Sequence, residues 1–346
     1  MNTRFFLVLT GLVMGCGGSY PEAQQPTGGL AATDPTHQQP GAAPTIDITH
    51  AALPYRVLRA RGGSEISAAD FYIELGQAQA ICLGESHPNP HHHWAQLHML
   101  DELSKRASGA AMALGFEMFQ RPFQGVLDDY ARKLIDDAAL MQRTGWAERW
   151  GYDFALYQPM VALAAERGMA LLALNIAKEL RKKVVDNGMD KLTATERAEV
   201  PEIDLTDTEH RAWFDGIMAE MGGIEAHGSA HGAGDAGGDE AAKRADRIYL
   251  SQVLWDETMA DTAARWLAGA AGRHVIILAG NGHCHDGGIV RRMHRRGAAK
   301  VVSVLPIIDD GQGNVASELA QPMTDYLFVM SVPSSAQPVT PPHPAK

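Results

Sequence analysis

The sequence predicts an α/β fold in which helices flank a mainly parallel sheet, with a helical insertion or small second lobe. Between about residues 46 and 333, short runs rich in β-forming residues alternate with helical patterns, as is typical of a parallel sheet with helical crossovers. Residues 176–269 break this alternation because they are mostly helical and polar, without a convincing strand. We interpret that stretch as the insertion.

The individual elements follow from local patterns. Strands are predicted over residues 79–83, 110–117, 169–174, 273–279, 301–305 and 326–330. A helix is predicted over residues 90–106, and Pro122 begins the next one at a position where its missing N–H leaves no partner unsatisfied. A buried face of that second helix is expected to carry Phe123, Val126, Leu127, Tyr130 and Leu134. A long helix over about residues 244–268 ends the insertion.

The N-terminus has the pattern of an export signal. Arg4 precedes an apolar run over residues 5–14, which is too short to cross a bilayer as a helix. Residues 13–16 (VMGC) resemble a bacterial lipobox, so residues 1–15 are predicted to be removed and Cys16 to carry a lipid. A plain secretion signal cleaved nearby is the alternative. The expected location is the bacterial cell envelope outside the cytoplasm, most simply at the outer membrane.

Composition sets further limits. Residues 16–45 and 334–346 contain few large apolar residues, which predicts a flexible tether and a disordered tail. The formal net charge of −11 disfavours nucleic acid as a partner. Three cysteines do not indicate a disulfide framework. Cys82 is expected to be a buried thiol in a strand, and Cys284 a more reactive one.

Polar residues follow four of the predicted strands. The first strand leads into Gly-Glu-Ser-His at residues 84–87, and the fourth leads into Gly-Asn-Gly-His at residues 280–283. Because ligands bind outside the carboxyl ends of strands in such sheets, we expect one polar crevice there. Its predicted members are Glu85, His87, Glu117, Asn175, Asn281 and His283. The alternative is that Glu85, Ser86 and Asn175 only cap helices, which explains one or two of these residues but not the set.

The residue types suit two kinds of chemistry. Glu85, His87, Glu117 and His283 are ligands that a divalent transition metal accepts. Glu85 and Glu117 would be the catalytic acid–base pair if the protein were a hydrolase. Gln252, Asp256 and Met259 share one helix face, where Asp256 either orients a site histidine or pairs with a surface cation.

Several motifs in a fixed order resemble the ChaN-like haem-binding lipoproteins, which are related to the Tiki/TraB superfamily with its metal-dependent proteases. The motifs are residues 84–96 (GESHPNPHHHWAQ), 115–121 (GFEMFQR), 150–159, Asn175, 252–260 (QVLWDETMA) and 278–289 (LAGNGHCHDGGI). The resemblance spans about residues 77–302. It implies haem binding in haem or iron acquisition, with a metal-dependent hydrolase or protease as the alternative and a structural envelope lipoprotein as a third reading. A homodimer is left open.

The resemblance also implies which residues approach haem. Haem iron accepts His or Tyr, so His87, His283 and Tyr157 are candidates, with His227 and His231 of a Gly-rich loop in addition. The alternatives are that Tyr157 is a packed aromatic residue near a helix start and that His227 and His231 are polar loop residues. A predicted apolar slot is lined by Met118, Phe119, Trp146, Trp150 and Phe154. Only one or two of His91, His92 and His93 are expected to face the site, with the others exposed to solvent. An interaction with the helix macrodipole is expected, in preference to haem propionates, for Arg291, Arg292, Arg295 and Arg296.

Overall fold

A computed structural model describes residues 46–107, 109–220 and 236–332 of the chain. Its strands are β1 (Tyr55–Arg59), β2 (Glu65–Ile66), β3 (Ala80–Leu83), β4 (Met112–Gln120), β5 (Ala170–Asn175), β6 (His274–Leu278), β7 (Val301–Ile308) and β8 (Tyr326–Met330). They form one 8-stranded sheet in the order β2-β1-β8-β7-β3-β6-β4-β5. The predicted α/β class is confirmed.

The sheet is parallel from β8 to β5, and only the β1 edge is antiparallel. Strand β3 pairs in parallel with both β6 and β7, and β4 pairs in parallel with β6 and β5. Strand β1 pairs antiparallel with β8 and β2, and sequence reasoning missed both β1 and β2. All four residues of β3 are buried, as expected for a strand covered on both faces.

Helices surround this sheet. The helices are α1 (Ala68–Gly76), α2 (Pro90–Ser104), α3 (Gln124–Ala131), α4 (Asp137–Thr144), α5 (Trp146–Arg149), α6 (Gln158–Glu166), α7 (Lys178–Asn187), α8 (Ala194–Glu199), α9 (Thr208–Glu220), α10 (Ala236–Ala268), α11 (Arg291–Arg295) and α12 (Asn314–Ala320). Alternate residues of β3 face two different cores: Ile81 and Leu83 pack in the layer beneath α2 and α6, whereas Cys82 packs in the layer beneath α10.

The helix predicted from Pro122 differs from the observed one. Pro122 lies in a short 3₁₀ turn (Arg121–Phe123), and α3 ends at Ala131. Leu127 is buried, but Leu134 is 65% exposed, so its predicted place on a buried face was wrong. The chain turns away before it, because Lys133 adopts a left-handed conformation with φ of 58°.

The insertion is helical, as predicted. Within the described part of residues 176–269, α7 to α10 occur and no strand does. Helix α10 begins earlier than predicted and packs Met259, Ala260 and Ala263 against residues of β5 and β6. No helix among the described residues is both long and apolar enough to cross a membrane.

The cysteines differ from the expectation. Cys82 of β3 and Cys284, after β6, form a disulfide with their Cα atoms 5.3 Å apart. Cys284 is therefore not a free reactive thiol, and Cys82 is not a free buried one. The pairing depends on the adjacency of β3 and β6, which lie far apart in the sequence.

Candidate functional site at the carboxyl ends of the strands

The carboxyl ends of β3, β4 and β6 bring the predicted polar residues together. His87 follows β3, Glu117 is among the last four residues of β4, and Gly280 follows β6. A Cβ atom added to Gly280 would lie 3.0 Å from His87 Cε1 and 3.6 Å from Glu117 Oε2. Glycine at this position therefore leaves the space in which the two side chains approach each other.

The first half of the site is centred on Glu85, which is buried. His87 Nδ1 lies 2.6 Å from Glu85 Oε1, and the Tyr157 hydroxyl donates to the same oxygen at 3.0 Å. His93 Nδ1 lies 3.2 Å from Glu85 Oε2. We call these four residues the His87 cluster. Nε2 is the ring nitrogen of His87 that Glu85 does not engage.

Electrostatics favour the protonated form of His87. Burial lowers the pKa of His87, but the hydrogen bond with Glu85 and the charges of Glu117 and Glu85 outweigh burial and raise the pKa above 6.5. Burial and the nearby Glu85 carboxyl raise the pKa of Tyr157 well above its usual value, so this phenol stays neutral. The His87 cluster therefore holds one imidazole in a fixed orientation.

Aromatic rings flank His87. The Trp150 ring meets it edge-on at 4.6 Å between centroids, and the Tyr152 ring lies at 5.2 Å. The predicted apolar slot is otherwise absent, because Met118, Phe119, Trp146 and Phe154 are buried in the core. Trp146 contacts Phe154 at 5.0 Å and Phe119 at 5.2 Å, so these rings pack on one another. Of the five predicted slot residues, Trp150 alone is only partly buried.

The second half of the site is centred on His283. Its Nδ1 lies 2.6 Å from Asp256 Oδ1, and its Nε2 lies 3.4 Å from Glu117 Oε1. Gln252, one turn before Asp256 on α10, donates to Gly282 O at 2.9 Å. We call Glu117, Gln252, Asp256 and His283 the His283 cluster. Asp256 was predicted either to orient a site histidine or to pair with a surface cation, and the structure shows the contact with His283.

The charges of the His283 cluster reinforce one another. Burial lowers the pKa of His283, but the charges of Glu117 and Asp256 outweigh burial and raise this pKa to about 10. Burial raises the pKa of Glu117, but His283 outweighs that effect, and the pKa falls to about 2. Near neutral pH, His283 is thus a buried imidazolium between carboxylates.

The two asparagines have different surroundings. Asn175 donates to the backbone oxygen of Glu117 at 3.0 Å and accepts from Ile176 N at 2.9 Å, so it joins the ends of β4 and β5. This role is structural, but it is not the helix cap of the alternative interpretation, because the N-cap residue of α7 is Ala177. Asn281 donates its backbone N–H to Glu85 O at 2.8 Å, which ties the loops after β3 and β6 together.

All three histidines at the start of α2 are buried, contrary to the expectation of solvent exposure. His92 Nδ1 accepts from Ser86 N at 2.9 Å, and His93 Nε2 lies 2.8 Å from His87 O. Burial lowers the pKa of His92 to about 3, which keeps it neutral. These histidines shape the loop that carries His87, and the contact of His93 with Glu85 is one that sequence reasoning missed.

The arginine cluster pairs with acids of the insertion, which corrects the macrodipole interpretation. Arg295 and Arg296 each lie within 2.7 Å of Glu257. Arg291 pairs with Asp207 at 2.6 Å, and Arg292 donates to Gly288 O at 2.9 Å. These side chains fasten the insertion to α11, a helix too short for a large dipole effect.

Some predictions lie outside the described residues, namely Cys16, His227, His231, the tether and the tail. In the part of the chain that the structure describes, no group of three or more His, Cys, Asp or Glu side chains is arranged to hold a metal ion.

A polar cavity of about 560 Å³ lies at the opposite edge of the sheet, where Gln77 and Lys300 precede β3 and β7. Its ion pair between Arg59 and Glu74 is unrelated to the predicted site residues.

Comparison with known proteins agrees with this fold. The sequence profile of a family described as "Haem-binding uptake, Tiki superfamily, ChaN" matches residues 72–293. The chain is similar to a solved structure of ChaN of Campylobacter jejuni with cofacial haem binding, at 19% identity and a TM-score of 0.61, over 80% of this chain and 97% of that chain. A mutant of the erythromycin esterase EreC in its open conformation matches at 13% identity and a TM-score of 0.41, over 81% and 83% of the two chains. No curated protein matches the chain.

Proposed function

This chain belongs to the ChaN family of haem-binding uptake proteins in the Tiki superfamily, and we propose that it binds haem at the carboxyl ends of its strands. The observation that carries the proposal is the orientation of His87. Glu85 holds Nδ1 of this imidazole at 2.6 Å, so Nε2 is the nitrogen at which iron would bind, in place of the proton that the raised pKa of His87 favours there. A carboxylate on the second ring nitrogen is one of the common ways in which proteins orient a metal-binding histidine.

The other two axial candidates are less suitable. The Tyr157 side chain is fully buried, and its hydroxyl is engaged by Glu85. Carboxylates occupy both ring nitrogens of His283, Asp256 at Nδ1 and Glu117 at Nε2, so neither nitrogen is open to iron. We therefore assign the axial nitrogen to His87, with His283 as a fixed positive charge nearby.

The surroundings of His87 fit a flat, largely apolar ligand on one side. The His87 side chain is 12% exposed, so its edge reaches the surface of the crevice. Trp150 and Tyr152 pack against the same ring and offer aromatic area for a porphyrin face. The residues Glu117, Asn175 and Asn281 would surround the ligand without donating to iron.

The proposed role is haem or iron acquisition by an envelope lipoprotein anchored through Cys16. The lipobox-like segment before Cys16 supports the anchor. The disulfide between Cys82 and Cys284 supports an oxidising compartment outside the cytoplasm. A Cys16→Ala variant should leave the membrane fraction while it keeps its fold; a variant that still sediments with membranes would contradict the anchor.

A hemin titration tests the ligand assignment. We expect His87→Ala to lower hemin affinity by more than about 100-fold and to change the shape of the Soret band, because the axial donor is lost. His294→Ala is the matched control, since His294 is an exposed histidine whose Nδ1 lies 2.9 Å from the Ala298 carbonyl oxygen. Equal spectra for wild type and His87→Ala would contradict the assignment, and wild type without saturable binding would overturn the haem proposal.

A second candidate function is a metal-dependent hydrolase, in which Glu85 and Glu117 act with a divalent metal. The burial of Glu117 and its pKa of about 2 favour this candidate, because an ionised buried carboxylate is suited to bind a divalent metal. Metal analysis of the purified protein tests it. Stoichiometric divalent metal that depends on Glu117 and His87, without hemin binding, would favour the hydrolase.

A further inference from the structure

The disulfide lies directly beneath both halves of the candidate site. Cys82 is in β3, shortly before Glu85 and His87, and Cys284 immediately follows His283. The two cysteines are separated by 202 residues in the sequence. Both are buried, with exposed fractions of 0% and 2%. The bond therefore joins the segment that leads to the His87 loop (residues 84–87) to the end of the His283 loop (residues 280–284).

We propose that this disulfide positions the His283 loop against β3, so that the haem-competent arrangement of the two loops depends on oxidation of the cysteines. The inference rests on the proposed function insofar as haem binding is one of its readouts. It concerns a pair of positioning residues, which contact neither the ligand nor its iron.

The His283 loop needs such a constraint because its geometry is demanding. Strand β6 ends at Leu278, so the loop continues without a strand ladder. Within it, His283 N and Cys284 N both donate to Gly280 O, which closes a tight turn. His283 must then reach Asp256 at 2.6 Å and Glu117 at 3.4 Å from opposite ring nitrogens. A displacement of about 1 Å would remove the weaker of these contacts.

The loop carries other tethers, but they are hydrogen bonds. Asn281 N donates to Glu85 O at 2.8 Å, and Gln252 donates to Gly282 O at 2.9 Å. The covalent bond is placed beyond both of them, at the residue next to His283. Without it, the loop would keep these hydrogen bonds and that of Ile289 N to His283 O, but it would lose its covalent link to β3.

We expect the fold to persist without the bond. Cys82 and Cys284 lie in the apolar layer with Ile277 and Met259. Reduced cysteines behave as small apolar side chains and fit such a layer. Loss of the bond is therefore expected to disorder the loop more than the sheet, which separates a positioning role from a purely structural one.

Formation of the bond is a two-electron oxidation. The two thiols lose two protons and two electrons to an exchanging disulfide, which is reduced to a dithiol as the Sγ–Sγ bond forms. Such exchange partners are available in oxidising compartments. The site would then be assembled after export, and the chain in the reducing cytoplasm would bind haem weakly.

The test combines thiol counting, hemin titration and NMR on the full chain. Reduction in denaturant should expose two more thiols than the unreduced protein, whether or not Cys16 is lipidated. Cys82→Ala/Cys284→Ala should lower hemin affinity by at least about tenfold, as loss of an orienting partner does. It should also abolish the far-downfield proton signal of the His283 Nδ1–H that bonds to Asp256, a signal assigned by its loss in Asp256→Asn.

Ile277→Val is the matched control, because Ile277 is buried in the same layer and pairs with Cys82 across the strands. It should lose some stability but retain the proton signal and hemin affinity. If the double alanine variant does not fold, Cys82→Val/Cys284→Ala replaces the lost volume and carries the same expectations.

The outcomes separate the two proposals. A folded double variant with wild-type hemin affinity and an intact downfield signal would overturn the positioning role, as would an unchanged thiol count on reduction. If wild type binds no hemin, the proposed function fails, and the proton signal alone decides the positioning role.

Discussion

His87 and His283 occupy equivalent places in the chain, since each ends a Gly-x-x-His segment that follows a parallel strand. Their surroundings differ. His87 contacts one carboxyl, through Nδ1, whereas His283 lies between two, one near each ring nitrogen. The single contact leaves Nε2 of His87 for a ligand, whereas the two contacts of His283 engage both of its ring nitrogens. The number of acidic partners, more than the motif, decides what each imidazole can do.

The difference originates in the elements behind each histidine. Helix α2 places His93, and the start of α6 places Tyr157, around Glu85, so a buried histidine and a buried tyrosine lie behind His87. Helix α10 of the insertion places Asp256 behind His283, and buried Arg292 lies 3.7 Å from the second oxygen of that carboxylate. The insertion therefore gives one half of the site its ionic character.

The largest expected effect is on the His283 cluster. Asp256→Asn should lower the free energy of unfolding by about 3–5 kcal/mol, because it leaves a buried imidazolium and a buried guanidinium without their shared partner. Urea denaturation measures this. The control Asp309→Asn removes an exposed pair with Arg56 and should cost less than about 1 kcal/mol. Equal losses for the two variants would mean that Asp256 and His283 are not an ion pair.

The pH dependence of stability should reveal the same asymmetry. The pKa of His283 rises from 6.5 to about 10 on folding, so its stabilising contribution is full below pH 6.5 and is lost as the pH rises towards 10. The pKa of Glu117 falls from 4.5 to about 2, so its contribution is full above pH 4.5 and is lost as the pH falls towards 2. The free energy of unfolding should therefore be highest between about pH 4.5 and pH 6.5.

Thermal unfolding across pH provides the measurement. In the Asp256→Asn variant the alkaline loss should become smaller, because the pKa of His283 is then raised less. A stability profile that is flat from pH 6.5 to 10 in wild type would show that His283 is neutral in the folded protein.

A smaller effect is expected at the orienting carboxyl of the His87 cluster. Glu85→Gln should lower hemin affinity by about tenfold, because the amide is a weaker partner for the Nδ1–H of His87. Hemin titration of this variant tests the prediction. The control is Glu102→Gln, which removes a surface ion pair between Glu102 of α2 and Lys105. An affinity loss as large as that of His87→Ala would indicate that Glu85 itself binds the ligand.

The smallest effect is expected for Glu117→Gln. Hemin affinity should stay within about threefold of wild type, because haem iron takes His or Tyr and not a carboxylate. If the protein instead binds a divalent metal through Glu117, the same change should remove the metal. Parallel hemin titration and metal analysis of this variant therefore distinguish the two candidate functions.

The local pattern of the chain was sufficient to predict much of the framework. Strand β8 lies at residues 326–330 as expected, and β3 differs from its predicted bounds by one residue. Runs such as Ala80–Leu83 are recognisable because strands buried on both faces are continuously apolar. Strand β2 was missed because its two residues are too few to show any periodicity.

The prediction of an apolar slot was wrong for a different reason. Met118, Phe119 and Phe154 are large and apolar, which suits either a ligand pocket or a packed core. Composition cannot distinguish these, since the same side chains lower the free energy by burial in both. Their mutual contacts, visible only in three dimensions, assign them to the core.

What the sequence determined by itself was local: the apolar runs, the glycines beside them, and therefore the polar residues at the strand ends. The tertiary structure alone decided which of those ends are neighbours. Strand β6 lies between β3 and β4, and this order brings Cys82 to Cys284 and Glu117 to His283. It also brings Asp256 from the insertion onto His283 and so raises the pKa of that imidazole. Charge interactions act through space over a few ångströms, and the order of residues along a chain does not encode such distances directly.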